Sequence, residues 1–115
     1  MHTKYNKLVR DHIPAILAQT GYTYETTTMD EQEYQQALRE KLVEEAMEAT
    51  TAFERQQLIT ELADLYEVID TLMSENNIAP DVVRAEQERR RQARGGFAQR
   101  IRLLSTSSST NTDEP

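Results

Sequence analysis

Five carboxylates in two short clusters are the residues with the clearest potential for chemistry. The stretch "EEAME", residues 44 to 48, supplies Glu44, Glu45 and Glu48, and "ELAD", residues 61 to 64, supplies Glu61 and Asp64. Separations of three and four on a helix put side chains on one side, about one turn or about 5 Å apart along the axis. Glu61 is the most telling of the five. At about 100° per residue, Leu58, Leu65, Val68 and Leu72 lie within about 60° of it around a helix axis, so a carboxylate stands on an apolar stripe. A lone carboxylate there is unfavourable unless something neutralises it. Glu45 leans the same way, close to Leu38 and Ala49 around its own axis. If the two helices face each other, three or four acids converge on one gap. Like charges that close cannot all stay ionised without a counter-charge. All-oxygen ligation is what Mg²⁺ or Mn²⁺ prefers, and Mg²⁺ keeps positions free for water and phosphate oxygens. A single E-x-x-E pair carries little information, because most helical acids are simply solvated. Two matched pairs on facing sides of one hairpin are far more specific.

The elements that must position these acids can be read from periodicity and punctuation. Residues 1 to 8 read as extended or irregular, and a first helix is predicted from near Asp11 to Thr20, with Pro14 in its first turn and Gly21 as its stop. "YTYETTT", residues 22 to 28, is β-branched and aromatic and has extended character, but it is too isolated to build a sheet. Asp30 followed by Glu33 forms a capping box for a second helix that continues to about Phe53, with Leu38, Leu42, Ala46, Ala49 and Phe53 as its apolar stripe. "ERQQ" makes a turn, and a third helix spans about residues 56 to 75. Only twelve residues separate Glu48 from Glu61, which suits an antiparallel helical hairpin. "NNIAPD" breaks the chain, Pro80 or Asp81 opens a fourth helix, and Gly95-Gly96 ends it. "FAQRIRLL" reads as a short strand or an extended arm. The expected fold is all-α, about four helices over residues 1–104, followed by a polar, disordered tail over 105–115. The core is thin, with five Tyr, two Phe and no Trp. Apolar residues outside the main stripes, Val43 and Met47 on the second helix and Tyr66 and Ile69 on the third, predict completion by helix packing between copies as a dimer or higher oligomer.

Charge is placed unevenly along the 115 residues. Residues 31 to 81 carry 13 acids against Arg39, Lys41 and Arg55, a net −10, whereas residues 84 to 102 carry seven arginines against two glutamates, a net +5. Such a chain can hold a cation and a polyanion side by side, or simply present two solvated faces. No stretch of eighteen apolar residues allows a transmembrane helix. "MHTKYNKLVRDHIP" lacks the apolar core of a signal peptide. The absence of cysteine excludes disulfides and thiolate metal sites. A cytoplasmic protein is the expectation.

E-E-x-x-E, twelve intervening residues and E-x-x-D together resemble the MazG-like, all-α nucleoside triphosphate pyrophosphohydrolase superfamily. "YNKLVRDHIPAIL", residues 5 to 17, and "RGGF", residues 94 to 97, resemble the branch similar to phosphoribosyl-ATP pyrophosphohydrolase, and the likeness covers residues 5 to about 104. His12 departs from that branch, where lysine is expected. The resemblance implies Mg²⁺-dependent (or Mn²⁺-dependent) hydrolysis of a nucleoside triphosphate between the α and β phosphates, giving a monophosphate and pyrophosphate. It implies that Glu45, Glu48, Glu61 and Asp64 hold the metal, and that Glu44 or Glu45 orients or deprotonates the attacking water. Lys7, Arg10, Lys41 and Arg94 are the cations then expected to hold the phosphates. The chemistry is consistent with the residues present. Phosphoryl transfer depends on charge neutralisation and in-line positioning more than on a covalent nucleophile, and a carboxylate is the available base.

A different class of function uses residues 84 to 102, whose arginines could grip a phosphate backbone as a nucleic-acid-binding or regulatory helical dimer. The lack of a helix-turn-helix pattern and the repulsion of DNA by the acidic middle argue against it. Gly95-Gly96 reads first as a helix stop, His2 and His12 are not spaced as metal ligands, and Tyr5, Tyr34 and Tyr66 read as core or interface.

Overall fold

The structure, a computed structural model, describes residues 2–108. Four helices and no strand are found among the described residues: α1 (Ile13–Gln19), α2 (Glu31–Thr50), α3 (Arg55–Glu75) and α4 (Pro80–Arg94). The all-α expectation holds. These residues fall into two compact units, one reaching to Pro80 and one beginning at Asp81.

Local chemistry sets the helix ends. The first helix is shorter than expected, with Pro14 in its first turn and His12 at its N-cap making no side-chain capping bond. It closes through a Schellman arrangement. Here Tyr22 N–H donates to Leu17 O at 2.9 Å and Gly21 N–H donates to Ala18 O at 3.3 Å. Gly21 takes φ +88°, a conformation that a β-carbon would strain. The second helix begins with the expected capping box. Asp30 Oδ1 accepts from Glu33 N–H at 2.8 Å, and Glu33 Oε1 accepts from Asp30 N–H at 3.1 Å. The third helix ends as the first does, with Asn77 in the left-handed region and Ile78 N–H donating to Met73 O at 2.9 Å.

The hairpin turn lies earlier than expected: Arg55, Gln56 and Gln57 of "ERQQ" already belong to α3, and α2 ends early as well. The apolar spacing carries through Phe53, but α2 stops at Thr50. The hydroxyls of Thr50 and Thr51 donate back to the carbonyls of Met47 and Glu48, at 2.6 and 3.1 Å. Such local bonds compete with the helix and draw the chain out of it. Ala52 is buried in the turn instead, and Phe53 is 91 % exposed.

The core of the first unit is the contact of α2 with α3. Gln35, near the start of α2, meets Asn76 just past the end of α3. Glu45, toward the end of α2, meets Glu61 in the second turn of α3. The pair is therefore an antiparallel hairpin. Ala37, Leu38, Ala52 and Val68 are its buried apolar residues. Leu42, Leu65 and Leu72 are half-buried. Burial of a leucine such as Leu38 contributes on the order of 2 kcal/mol. Val43, Met47 and Tyr66 remain more than half exposed; Ile69 is half-buried.

The second unit is described by α4 and the chain after it. Its arginines are exposed, with Arg89 paired to Glu86 and Arg91 to Glu88, each about one turn apart. Gly95, at φ +83°, ends the helix with its N–H on Arg91 O. Residues 97–104, a strand or an arm by sequence, form a turn closed by Arg100 N–H on Phe97 O at 3.1 Å and then run as exposed irregular chain. Residues 105–108 of the expected tail are likewise irregular and exposed, and 109–115 lie outside the described residues. Among the described residues no helix is long and apolar enough to cross a membrane.

Candidate metal and phosphate site

The hairpin carries Glu44, Glu45 and Glu48 on α2 toward Glu61 and Asp64 on α3. Glu45, Glu61 and Asp64 each offer one carboxylate oxygen, and these oxygens lie within 4.8 Å of one another. Glu45 is buried, with 6 % of its surface exposed. The apolar contact that buries Leu38, seven residues earlier on the same side of the helix, sets that position. Glu61 is half-buried as a residue, yet its Oε2 is covered. Among the described residues, neither Glu45 Oε2 nor Glu61 Oε2 has a hydrogen-bond partner. An oxygen withdrawn from water without a donor is costly, and two in one cluster are a demand for a cation or a proton.

The electrostatics state the same demand. Burial, followed by the neighbouring Glu48 carboxylate, pushes the Glu45 carboxyl above the usual range. Lys41, 3.6 Å away, opposes this without cancelling it. Burial and then Glu48, Asp64 and Glu45 push Glu61 up as well. Both shifts follow from disfavouring a charge among like charges and away from water. Glu48 is exposed and outside the trio of converging oxygens; it acts on Glu45 as a neighbouring charge and on Glu61 through a side-chain hydrogen bond as well as its charge.

Glu44 is held differently. Burial raises its carboxyl, but Lys41 and Lys7 together outweigh that effect and bring it below the usual range. Lys41 Nζ lies 3.3 Å from Glu44 Oε1 and Lys7 Nζ lies 3.4 Å from the same oxygen. Glu44 is thus a fixed, ionised acceptor one residue from the buried Glu45. One turn of helix explains why Lys41 touches both glutamates.

The N-terminal segment reaches this site within one chain. Asn6 has φ +50°, which turns the chain just before Lys7. Asparagine is among the few residues that adopt this conformation readily. The Lys7 ammonium also lies 5.9 Å from the centre of the Tyr5 ring, within cation–π reach. Arg10 Nη2 donates to Asp64 Oδ1 at 2.7 Å across 54 positions of sequence. The eight residues of the first unit singled out from sequence therefore gather around the acid end of the hairpin. Arg94 closes α4 in the second unit, exposed in the last turn. The pairing of Arg10 with Asp64 and of Lys7 with Glu44 has no signal in local spacing. It follows from the path of residues 5–12, which no periodicity encodes.

The all-α hairpin and its two acidic segments agree with the MazG-like superfamily, to which the matching family belongs. Within it, the chain belongs to the phosphoribosyl-ATP pyrophosphohydrolase family, whose model matches residues 4–91. No curated protein and no solved structure gives a significant match. Membership makes this a pyrophosphohydrolase acting on a nucleotide, in a family that is typically metal-dependent.

Proposed function

We propose that the protein is a Mg²⁺-dependent nucleotide pyrophosphohydrolase that opens the α–β anhydride of a nucleoside triphosphate, giving a monophosphate and pyrophosphate. The observation that carries this reading is the meeting of Glu45, Glu61 and Asp64, with two buried oxygens that have no hydrogen-bond partner among the described residues. The donor set fits the metal, since hard carboxylate oxygens are what Mg²⁺ and Mn²⁺ take. Glu45, Glu61 and Asp64 would hold it, with the adjoining Glu48 as a further carboxylate donor. A divalent ion there supplies neutralisation of phosphate charge and favours deprotonation of the attacking water.

The side chains do the rest. Glu44, kept ionised by Lys41 and Lys7, accepts a proton from water as its oxygen forms a bond to phosphorus of the α–β anhydride. One P–O bond forms, the bridging P–O bond breaks, and pyrophosphate departs. Lys7, Arg10 and Lys41 line the acid end as phosphate-holding cations. Of the two candidates for the base, Glu44 fits better. It is part-exposed, with a side chain 33 % accessible, whereas the Glu45 carboxylate is turned into the cluster.

Phosphoribosyl-ATP is the first substrate to try, and housecleaning of aberrant nucleotides in the cytoplasm is the broader role. A homodimer or tetramer is supported by the exposed apolar rows of α2 (Val43, Met47) and α3 (Ile59, Leu62, Tyr66), since exposed apolar surface of this kind marks association. The test is incubation with phosphoribosyl-ATP and a panel of ordinary, deoxy and oxidised triphosphates, with and without Mg²⁺, followed by separation of products. Monophosphate plus pyrophosphate only with metal is the expected result. No turnover across the panel overturns the proposal.

A further inference from the structure

Arg10 occupies a position that a metal-ligating Asp64 makes consequential. Its guanidinium donates to Asp64 Oδ1 at 2.7 Å, and Asp64 also contributes an oxygen to the trio with Glu45 and Glu61. A positive charge at hydrogen-bond distance from a ligand oxygen competes with a cation for that carboxylate and repels the cation at short range. The hold is light. It is a single hydrogen bond, and the Arg10 side chain is 58 % exposed. A two-pronged fork would bind more firmly, and exposed pairs of this kind contribute little. Arg10 also sits just outside α1, whose first residue is Ile13, so its side chain can swing without unwinding a helix. Lys7, on the same segment, is tied to Glu44 instead, which lies outside the trio.

From this geometry, and resting on the metal-dependent reading above, we infer that Arg10 is an exchange residue: it neutralises Asp64 until a divalent ion takes that carboxylate, and it is then released to grip the phosphate chain. The two events are coupled. Metal uptake frees a phosphate-binding arginine beside the ion, so the phosphate-binding charge is deployed where the metal already is. The inference assigns opposite signs to one substitution. Arg10→Gln removes a competitor for the cation and removes a ligand for the phosphate.

The test is calorimetric titration of the full chain with Mn²⁺ alone, then with inorganic triphosphate at saturating, constant free Mn²⁺, for the wild type and Arg10→Gln. Far-UV circular dichroism checks that the fold is kept. The variant is expected to bind Mn²⁺ about two- to fivefold more tightly and triphosphate about tenfold more weakly. Arg10→Lys, which keeps the charge, is expected to stay near wild type in the first titration. Unchanged or weaker Mn²⁺ binding by Arg10→Gln overturns the exchange and makes Arg10 a fixed support for Asp64. Unchanged triphosphate binding overturns the second half. A wild-type protein that takes up no Mn²⁺ removes the metal site itself, which separates failure of the proposed function from failure of this inference.

Discussion

The two ends of the α2–α3 hairpin are built from similar materials to opposite effect. At one end Gln35 uses its whole amide: its Oε1 accepts from Asn76 Nδ2 and Arg39 Nη1, both at 3.1 Å, and its Nε2 donates to Glu31 at 3.2 Å and to the Glu75 carbonyl at 3.4 Å. Asn76 in turn donates to Leu72 O at 2.8 Å. Donors and acceptors there balance within the chain. At the other end Glu45, Glu61 and Asp64 bring acceptors together, and two of the oxygens are covered with no hydrogen-bond partner among the described residues. Buried polar groups are normally satisfied, so the contrast is informative. The Gln35–Asn76 contact ties the two helices at that end, while the burial of Ala37, Leu38, Ala52 and Val68 between them holds the register in which the acids meet. One end is finished structure; the other leaves two covered oxygens unsatisfied among the described residues.

Substitutions can break this comparison from either side. The largest effect is expected at Glu61. Glu61→Gln keeps the shape but removes a ligand charge, and metal-dependent turnover should fall by at least about 10²-fold with helix content intact by circular dichroism. A fully active Glu61→Gln protein would mean that the acid end is not the site. Glu44→Gln comes next. If Glu44 is the base, kcat drops by about 10²- to 10⁴-fold while Mn²⁺ affinity, measured by titration, stays near wild type. A loss of both would make Glu44 a ligand instead.

How far the hairpin and its site could be read from sequence depends on the kind of signal involved. Asp30 and Glu33 declare the start of α2 because capping is local, and Glu45 and Glu61 betray themselves by standing on apolar stripes. Phe53 misled, since its spacing is helical while the threonine hydroxyls just before it end the helix. The contacts of Lys7 and Arg10 lie 37 and 54 positions away. They depend on where an irregular segment crosses the hairpin, which the residue pattern alone does not determine.

Smaller effects sharpen the contrast. Without divalent ions, Glu45 and Glu61 bind protons more tightly when folded than when unfolded, because burial and then their acidic neighbours raise both carboxyls. Over the interval from the ordinary glutamate range, about 4.3, up to those raised values, the folded state holds more protons and stability falls as pH rises. Glu44, shifted the other way, contributes stability present above its ordinary range and lost as pH falls. Thermal midpoints in chelator should therefore decline as pH climbs above about 4.3, and Mn²⁺ should reverse the decline. A midpoint that rises across that interval and ignores Mn²⁺ would contradict the unsatisfied cluster. At the finished end, Gln35→Ala is expected to cost about 1 kcal/mol in urea unfolding and to leave product formation per folded molecule nearly unchanged.

The central claim is that Glu45, Glu61 and Asp64 close on one divalent ion. Diffraction from crystals grown with Mn²⁺, collected at a wavelength where manganese scatters anomalously, tests it without recourse to turnover. The account requires an anomalous peak between those three carboxylates. A map with no peak there, or with manganese held only by other side chains, would contradict it.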